Sequence, residues 1–219
     1  MNVSHIEVLG APVEIGTMYS TIGKRLLDIA IVLTSMWILV PVILVLSAIT
    51  MLDGKSPFFG HRRVGRDGVE FRCWKVRSMV ADAEGRLAAY LKTEPNARME
   101  WEATRKLKDD PRVTRFGQFI RKTSLDELPQ ILNVLLGTMS IVGPRPIVRN
   151  ELVLYGCHTN SYLQLRPGIT GLWQVSGRNE VGYDKRVAFD REYNATMSFS
   201  RDIAIIWRTV RVVLARSGH

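Results

Sequence analysis

Cysteine is scarce in this chain of 219 residues: only Cys73 and Cys157 occur, too few and too far apart for a disulfide framework or a thiolate metal cluster. They read as two reduced thiols in a cytoplasm-facing domain. Histidine is equally sparse, and His5, His61, His158 and His219 have no metal-ligand spacing, so no zinc site is expected. Acidic residues are in deficit, 21 against 30 Lys and Arg, for a formal charge of +9. Anionic partners follow: nucleic acid, lipid headgroups or nucleotide diphosphates. Neither an internal repeat nor a low-complexity tract is present, and the length suits one domain with a membrane element.

Charge is missing altogether from Ile29 to Leu52, a run of 24 residues, whereas a membrane-spanning helix needs about 20. A cleaved signal peptide would be shorter, start earlier and end at a small-residue cleavage site. Residues 21–53 are therefore expected as a membrane helix, which favours lipid headgroups and nucleotide diphosphates over nucleic acid as partners. Pro41 lies near the middle, where it removes a backbone hydrogen bond and predicts a bend. Lys24 and Arg25 precede the run and Lys55, Arg62, Arg63 and Arg66 follow it, so both ends carry the positive charge of a cytoplasmic flank. A re-entrant helix satisfies both flanks; a straight span satisfies one.

Residues 1–20 read as a mobile or partly ordered tail. Residues 54–219 are expected as the catalytic domain. Within it, Pro57 to Met79 alternates around Arg66-Asp67-Gly68 and predicts a hairpin, with Lys75 and Arg77 on one strand face. Helices are expected within Ala81 to Lys108, interrupted near Pro95, over Phe116 to Lys122, and from Leu125 to a stop at Gly137. Ser161 to Asn179 reads as a glycine-punctuated loop region. The last segment, Phe199 to Arg216, spaces Ile203, Ile206, Trp207, Val210, Val213 and Leu214 by threes and fours among arginines. Such a helix suits either the headgroup boundary of a membrane or a packed core.

The chemistry concentrates in Ser124-Leu125-Asp126-Glu127-Leu128-Pro129-Gln130. A structural account makes Ser124 and Glu127 a capping box and the two acids complements of a helix dipole. The surroundings argue for more: Arg121 and Lys122 precede the pair, and Gly143-Pro144-Arg145-Pro146 follows, a rigid turn that aims a guanidinium suited to phosphate. A carboxylate among such groups can attack phosphorus and form an acyl phosphate, while its neighbour binds magnesium or takes a proton.

These stretches, in order with Lys24-Arg25…Asp28, Gly60-His61-Arg62-Arg63-Val64-Gly65, Lys75-Val76-Arg77-Ser78-Met79 and Arg166-Pro167-Gly168-Ile169-Thr170-Gly171-Leu172-Trp173-Gln174, resemble the bacterial monotopic phosphoglycosyl transferases. More closely, they resemble the branch that starts exopolysaccharide repeat units by loading galactose or glucose 1-phosphate onto undecaprenyl phosphate. The resemblance spans roughly Gly23 to Arg216. It implies a helix-rich α/β catalytic domain at the cytoplasmic face of the bacterial inner membrane, anchored by a Pro41-kinked re-entrant helix and amphipathic interfacial helices. It further implies Mg2+ at Asp126 and Glu127, with Asp126 the nucleophile on the sugar-bearing phosphate of a UDP-sugar and Glu127 assisting. Arg145 would hold phosphate, supported by Lys75, Arg77 and Arg121, with Gln174 and Arg178 completing the substrate site. One departure is Val40, where family members often carry a serine before the kink proline.

Two other functions compete. A membrane-anchored, non-catalytic subunit of a polysaccharide assembly or export complex needs no reactive acid. A phosphatase or nucleotide-sugar hydrolase using Asp126 would release sugar phosphate without a lipid acceptor, against which water exclusion at a membrane face argues.

Overall fold

The computed structural model describes residues 18–104, 107–176 and 182–214, and helix predominates in it. A turn at Tyr19–Gly23 runs directly into α1 (Lys24–Thr50), so helix begins within the stretch expected as tail. Pro41 sits inside α1, which is continuous through it. Two faces of α1 differ. Leu26, Leu33, Trp37, Leu44 and Val45 are exposed, whereas Asp28, Val32 and Leu46 are buried and Met36, Leu39 and Ile43 pack beside them. That inward set recurs every three or four residues, the stripe a helix presents to a core. Burying each large aliphatic side chain contributes about 1.5–3 kcal/mol.

The expected hairpin forms: β1 (Phe58–Val64) pairs antiparallel with β2 (Glu70–Val76), with Phe58 opposite Val76 and Val64 opposite Glu70. Asp67 and Gly68 turn the chain with φ of 57° and 76°, values that small or short polar residues tolerate. Phe71 and Cys73 face the core with Val32 and Ile131. Lys75 follows them on the same pleat face and is carried inward. The strand ends at Val76, which frees Arg77 from that alternation.

α2 (Ala83–Thr93) is capped by Asp82, whose carboxylate accepts from Gly85 N–H, and α3 (Pro95–Thr104) begins on the proline expected to interrupt the helical stretch. α4 (Arg115–Lys122) is capped by the Thr114 hydroxyl. α5 (Gln130–Leu135) ends before Gly137, where φ is 79°, so the predicted glycine stop holds. β3 (Ser140–Val142) leads through a 3₁₀ segment, Arg149–His158, to α6 (Thr159–Leu163) and β4 (Gly168–Thr170), which pairs parallel with β3. α7 (Leu172–Val175), α8 (Tyr183–Thr196) and α9 (Phe199–Leu214) complete the described chain. The glycine-punctuated stretch from Ser161 is thus not simply loop. It holds a strand and two short helical pieces, stabilised by long-range pairing instead of local propensity.

Glycines make that pairing possible. A Cβ at Gly143 would lie 2.3 Å from the Arg166 carbonyl oxygen, and one at Gly168 would lie 2.2 Å from Gly143 N. The Gly143-Pro144-Arg145-Pro146 turn and the Arg166-Pro167-Gly168 turn therefore pack backbone against backbone.

Charged residues at both ends of α1 fasten it to the domain. Lys24 Nζ donates to Asp202 Oδ2 at 2.7 Å and to Tyr193 Oη at 2.8 Å, and Arg25 donates to the Val134 and Leu135 carbonyls at the end of α5. Asp28 accepts from Ser140 Oγ at 3.0 Å and Ile141 N at 2.9 Å. At the far end, Arg77 donates to both Asp53 oxygens at 2.6 Å and to the Thr50 carbonyl at 3.0 Å. α9 packs Asp202 and Ile205 inward and leaves Phe199, Ile203, Trp207 and Val210 exposed as an apolar stripe. Both expected uses of this helix have a face available.

Candidate active site

Between α4 and α5 the chain makes a tight reversal. Ser124 adopts φ 58° and ψ 17°, left-handed geometry that costs a serine free energy and that clusters at functional sites. Its side chain makes no cap, because an N-cap needs an extended backbone. The capping-box account of Ser124 and Glu127 is therefore overturned: the Ser124 carbonyl accepts from Glu127 N–H at 3.2 Å, and a single 3₁₀ turn, Leu125–Glu127, carries both acids. The α-helix begins only at Gln130.

Lys75 meets that turn. Its Nζ donates to Glu127 Oε1 at 2.6 Å and stands 3.7 Å from Asp126 Oδ2. Burial raises the Asp126 pKa, Lys75 opposes that rise, and the neighbouring Glu127 charge adds to it. Burial lowers the Lys75 pKa, but Glu127 and Asp126 outweigh it and the ammonium is raised. The result is a poorly solvated carboxylate, Asp126, beside a second carboxylate already neutralised by its lysine.

A cavity of about 560 Å³ opens against this cluster. Glu127, Lys75, Arg63 and Arg145 line it, and Asp126 lies just behind the wall, with its side chain 10% exposed. Ile31, Ser35 and Leu39, from one face of α1, form part of the lining, and Thr209 of α9 another part. Arg145 is exposed, with its guanidinium 5.6 Å from the Trp173 ring centre. Although the residue keeps solvent access, the protein packed around it displaces part of its hydration, and this together with the nearby Arg186 charge lowers its pKa. Its turn is held on one side by the Gly143 and Gly168 contacts and on the other by Val64 N–H donating to the Ile147 carbonyl.

Of the residues expected here, Asp126, Glu127, Lys75, Arg145 and Gln174 come together. Arg121 instead donates from Nε to Ser78 Oγ at 2.8 Å, off the cavity wall, though its charge still lowers the Asp126 pKa. Arg77 does not line the cavity; its guanidinium is taken up by Asp53 and backbone carbonyls. Arg178 lies outside the described residues, and Pro41 is not part of the lining. The sequence gives Arg63 only a place in the basic flank of the membrane helix and assigns no site role to Trp173, Arg186 or the α1 residues. Arg63 and Trp173 stood inside quoted motifs, whereas Arg186 gave no signal.

Fold and site together define a chain that sets paired acids among cations beside a long apolar helix. The helical stretch Tyr19–Asp53 is long and apolar enough to cross a membrane. Residues 19–216 match the model of the bacterial sugar transferase family, and the chain belongs to that family. It is 50% identical over 195 residues to a UDP-galactose-lipid carrier transferase of Erwinia amylovora, covering 89% of this chain and 41% of that protein. It is 51% identical over 195 residues to an undecaprenyl-phosphate galactose phosphotransferase of Salmonella typhimurium, again covering 89% of this chain and 41% of the relative. The chain thus spans about two fifths of the length of these relatives. An exopolysaccharide production protein ExoY of Sinorhizobium fredii is 48% identical over 198 residues, with 90% of this chain and 88% of the relative covered.

Proposed function

We propose that this chain transfers a hexose 1-phosphate, galactose before glucose, from a UDP-sugar to undecaprenyl phosphate and so initiates exopolysaccharide repeat units. The observation that carries this reading is Lys75 joining Asp126 and Glu127 at a cavity lined by Arg145 and by the apolar helix α1. A water-soluble phosphate donor and a lipid-dissolved acceptor need such a meeting place, and the relatives' names support both substrates.

Asp126 attacks the sugar-bearing phosphorus, its carboxylate oxygen forming the new P–O bond while the bond to UMP breaks and UMP leaves with the electron pair. Arg145 and Arg63 hold the phosphate oxygens in the approach geometry. An oxygen of undecaprenyl phosphate then attacks the same phosphorus and returns Asp126 to its free carboxylate. Glu127, on the cavity wall, steadies the acceptor phosphate or takes its remaining proton. Asp126 suits the first step because burial leaves it weakly solvated and Lys75 is drawn mainly to Glu127. That Glu127 lines the cavity while Asp126 stands behind it favours, as a second reading, attack by Glu127.

The pair also fits Mg2+. Among the described residues no third His, Cys, Asp or Glu joins it, but magnesium is commonly held by one or two carboxylates together with substrate phosphates and water. When bound by Asp126 and Glu127, the ion would supply charge neutralisation on the diphosphate.

The re-entrant placement of α1 is part of the same proposal. Its support is that Lys24 and Arg25 at one end, and Thr50 and Asp53 at the other, are tied to one domain, and that the basic flanks suit the cytoplasmic side.

The test is UMP release across a panel of UDP-sugars with magnesium, with and without undecaprenyl phosphate. Sustained release with UDP-galactose or UDP-glucose that requires the lipid is expected. Free sugar phosphate formed without the lipid would make the chain a hydrolase, and no release at all would return it to a non-catalytic role.

A further inference from the structure

A second cavity, of about 280 Å³, adjoins the catalytic one, and Arg62, Arg63, Glu70, Arg149 and Asn150 are among the residues that line it. Arg63 lines both cavities. The smaller one runs along the edge of β1 that faces away from β2, where Ile147 bridges to Val64 and the chain continues into Val148, Arg149 and Asn150.

Its charge is unbalanced. Three arginines stand against one carboxylate, Glu70, and among the described residues neither Arg62 nor Arg63 is in an ion pair. Arg149 Nη1 lies 3.5 Å from Glu70 Oε1, but the Arg149 side chain is 70% exposed, and pairs so exposed hold weakly. The backbone adds a donor at the same edge. Val64 N–H donates outward to the Ile147 carbonyl at 2.9 Å, and N–H groups two residues apart on a strand point the same way, so Arg62 N–H is directed to that edge.

Cations without acids favour an anion, and guanidinium forks match phosphate oxygens two at a time. In the larger cavity Lys75 is engaged by Glu127, which leaves Arg63 and Arg145 as its free cations among the described residues. A diphosphate held there by its sugar-bearing phosphorus carries a second phosphate one bridging oxygen away, and Arg63 is the arginine common to both cavities. When the P–O bond to UMP breaks, the electron pair stays on the UMP phosphate, and cations on that side stabilise the charge it gains. We propose that the second cavity receives the UMP part of the nucleotide-sugar donor, with Arg62 and Arg149 holding the phosphate that leaves. This rests on the donor being a UDP-sugar, as proposed above, and assigns its leaving group a subsite.

Calorimetry on the full chain in detergent, without lipid acceptor, measures the binding of UMP, UDP-galactose and UDP-glucose, and turnover gives the KM for undecaprenyl phosphate. Arg62→Gln and Arg149→Gln, both at exposed positions, should each weaken binding of UMP and of the UDP-sugar roughly tenfold, the size of one charge-assisted hydrogen bond, and leave the KM for the lipid unchanged. Glu70→Gln frees Arg149 from its acid and should tighten UMP binding, a gain that a misfolded variant would not show. Unchanged UMP affinity in both arginine variants, with wild type binding UMP and a UDP-sugar, overturns this inference alone. A raised KM for the lipid with UMP binding intact would give the cavity to the acceptor phosphate and overturn it too. Binding of neither UMP nor a UDP-sugar by wild type overturns it together with the proposed donor.

Discussion

Lys75 donates to Glu127 across 2.6 Å from a strand position 52 residues earlier in the chain. This contact joins the hairpin to the turn carrying both acids, and it leaves Asp126, 3.7 Å from the same ammonium, the less firmly paired of the two.

Asp126→Asn should therefore lower UMP release by roughly 10³-fold or more while membrane insertion persists, because the amide keeps the shape but is a poor nucleophile. Turnover together with membrane flotation checks both halves. Activity within a few-fold of wild type would remove Asp126 from the role, and mass spectrometry finding a phosphosugar on Glu127 would transfer it.

Lys75→Met should move the acid limb of the kcat/KM profile. Burial already holds the Asp126 pKa above the usual carboxylate value, and Lys75 pulls against it. Deleting the lysine raises that pKa further, so the ionised nucleophile is lost at a higher pH on acidification. The variant should also be slower by roughly 10- to 100-fold at neutral pH. An unmoved limb would mean that Asp126 ionisation does not govern the rate.

Asp28→Leu should destabilise the domain by about 3 kcal/mol, because Ser140 Oγ and Ile141 N both lose their acceptor in a buried site. Asp28→Asn keeps an acceptor oxygen and should lose less. Thermal unfolding in one detergent, compared across the three proteins, reads the order; equal melting temperatures would show that the contact contributes nothing.

Cysteines introduced at Ser20 and Ser56 should react alike with a membrane-impermeant reagent, both protected in intact cells and both labelled after lysis. Opposite labelling would establish a straight crossing. Pro41→Leu restores a backbone donor and should shift part of the population toward crossing, opposed by the basic flanks and by the Lys24 and Arg77 ties.

Several features were legible because they depend on neighbours in the chain. The uncharged run Ile29 to Leu52 made a long helix, Arg66-Asp67-Gly68 made a hairpin turn, and Gly137 stopped α5. The acids Asp126 and Glu127, with Arg145 between two prolines, marked the stretch that the fold brings to one cavity. Their partners were not legible. Lys75 and Arg77, two residues apart, looked equivalent until the end of β2 at Val76 sent one to the acids and the other to Asp53. The capping-box pattern failed because a left-handed Ser124 cannot cap. Arg186 carried no local mark, since its place beside Trp173 comes from packing α7 on α8. Composition, hydropathy and short-range turn chemistry are written along the chain, and they determined the long apolar helix, the hairpin and the helix stop, while the ordered motifs carried the family. Which cation faces which acid, and that α1 and α9 both line the cavity, depends on contacts between distant segments; only the packed tertiary structure decided them.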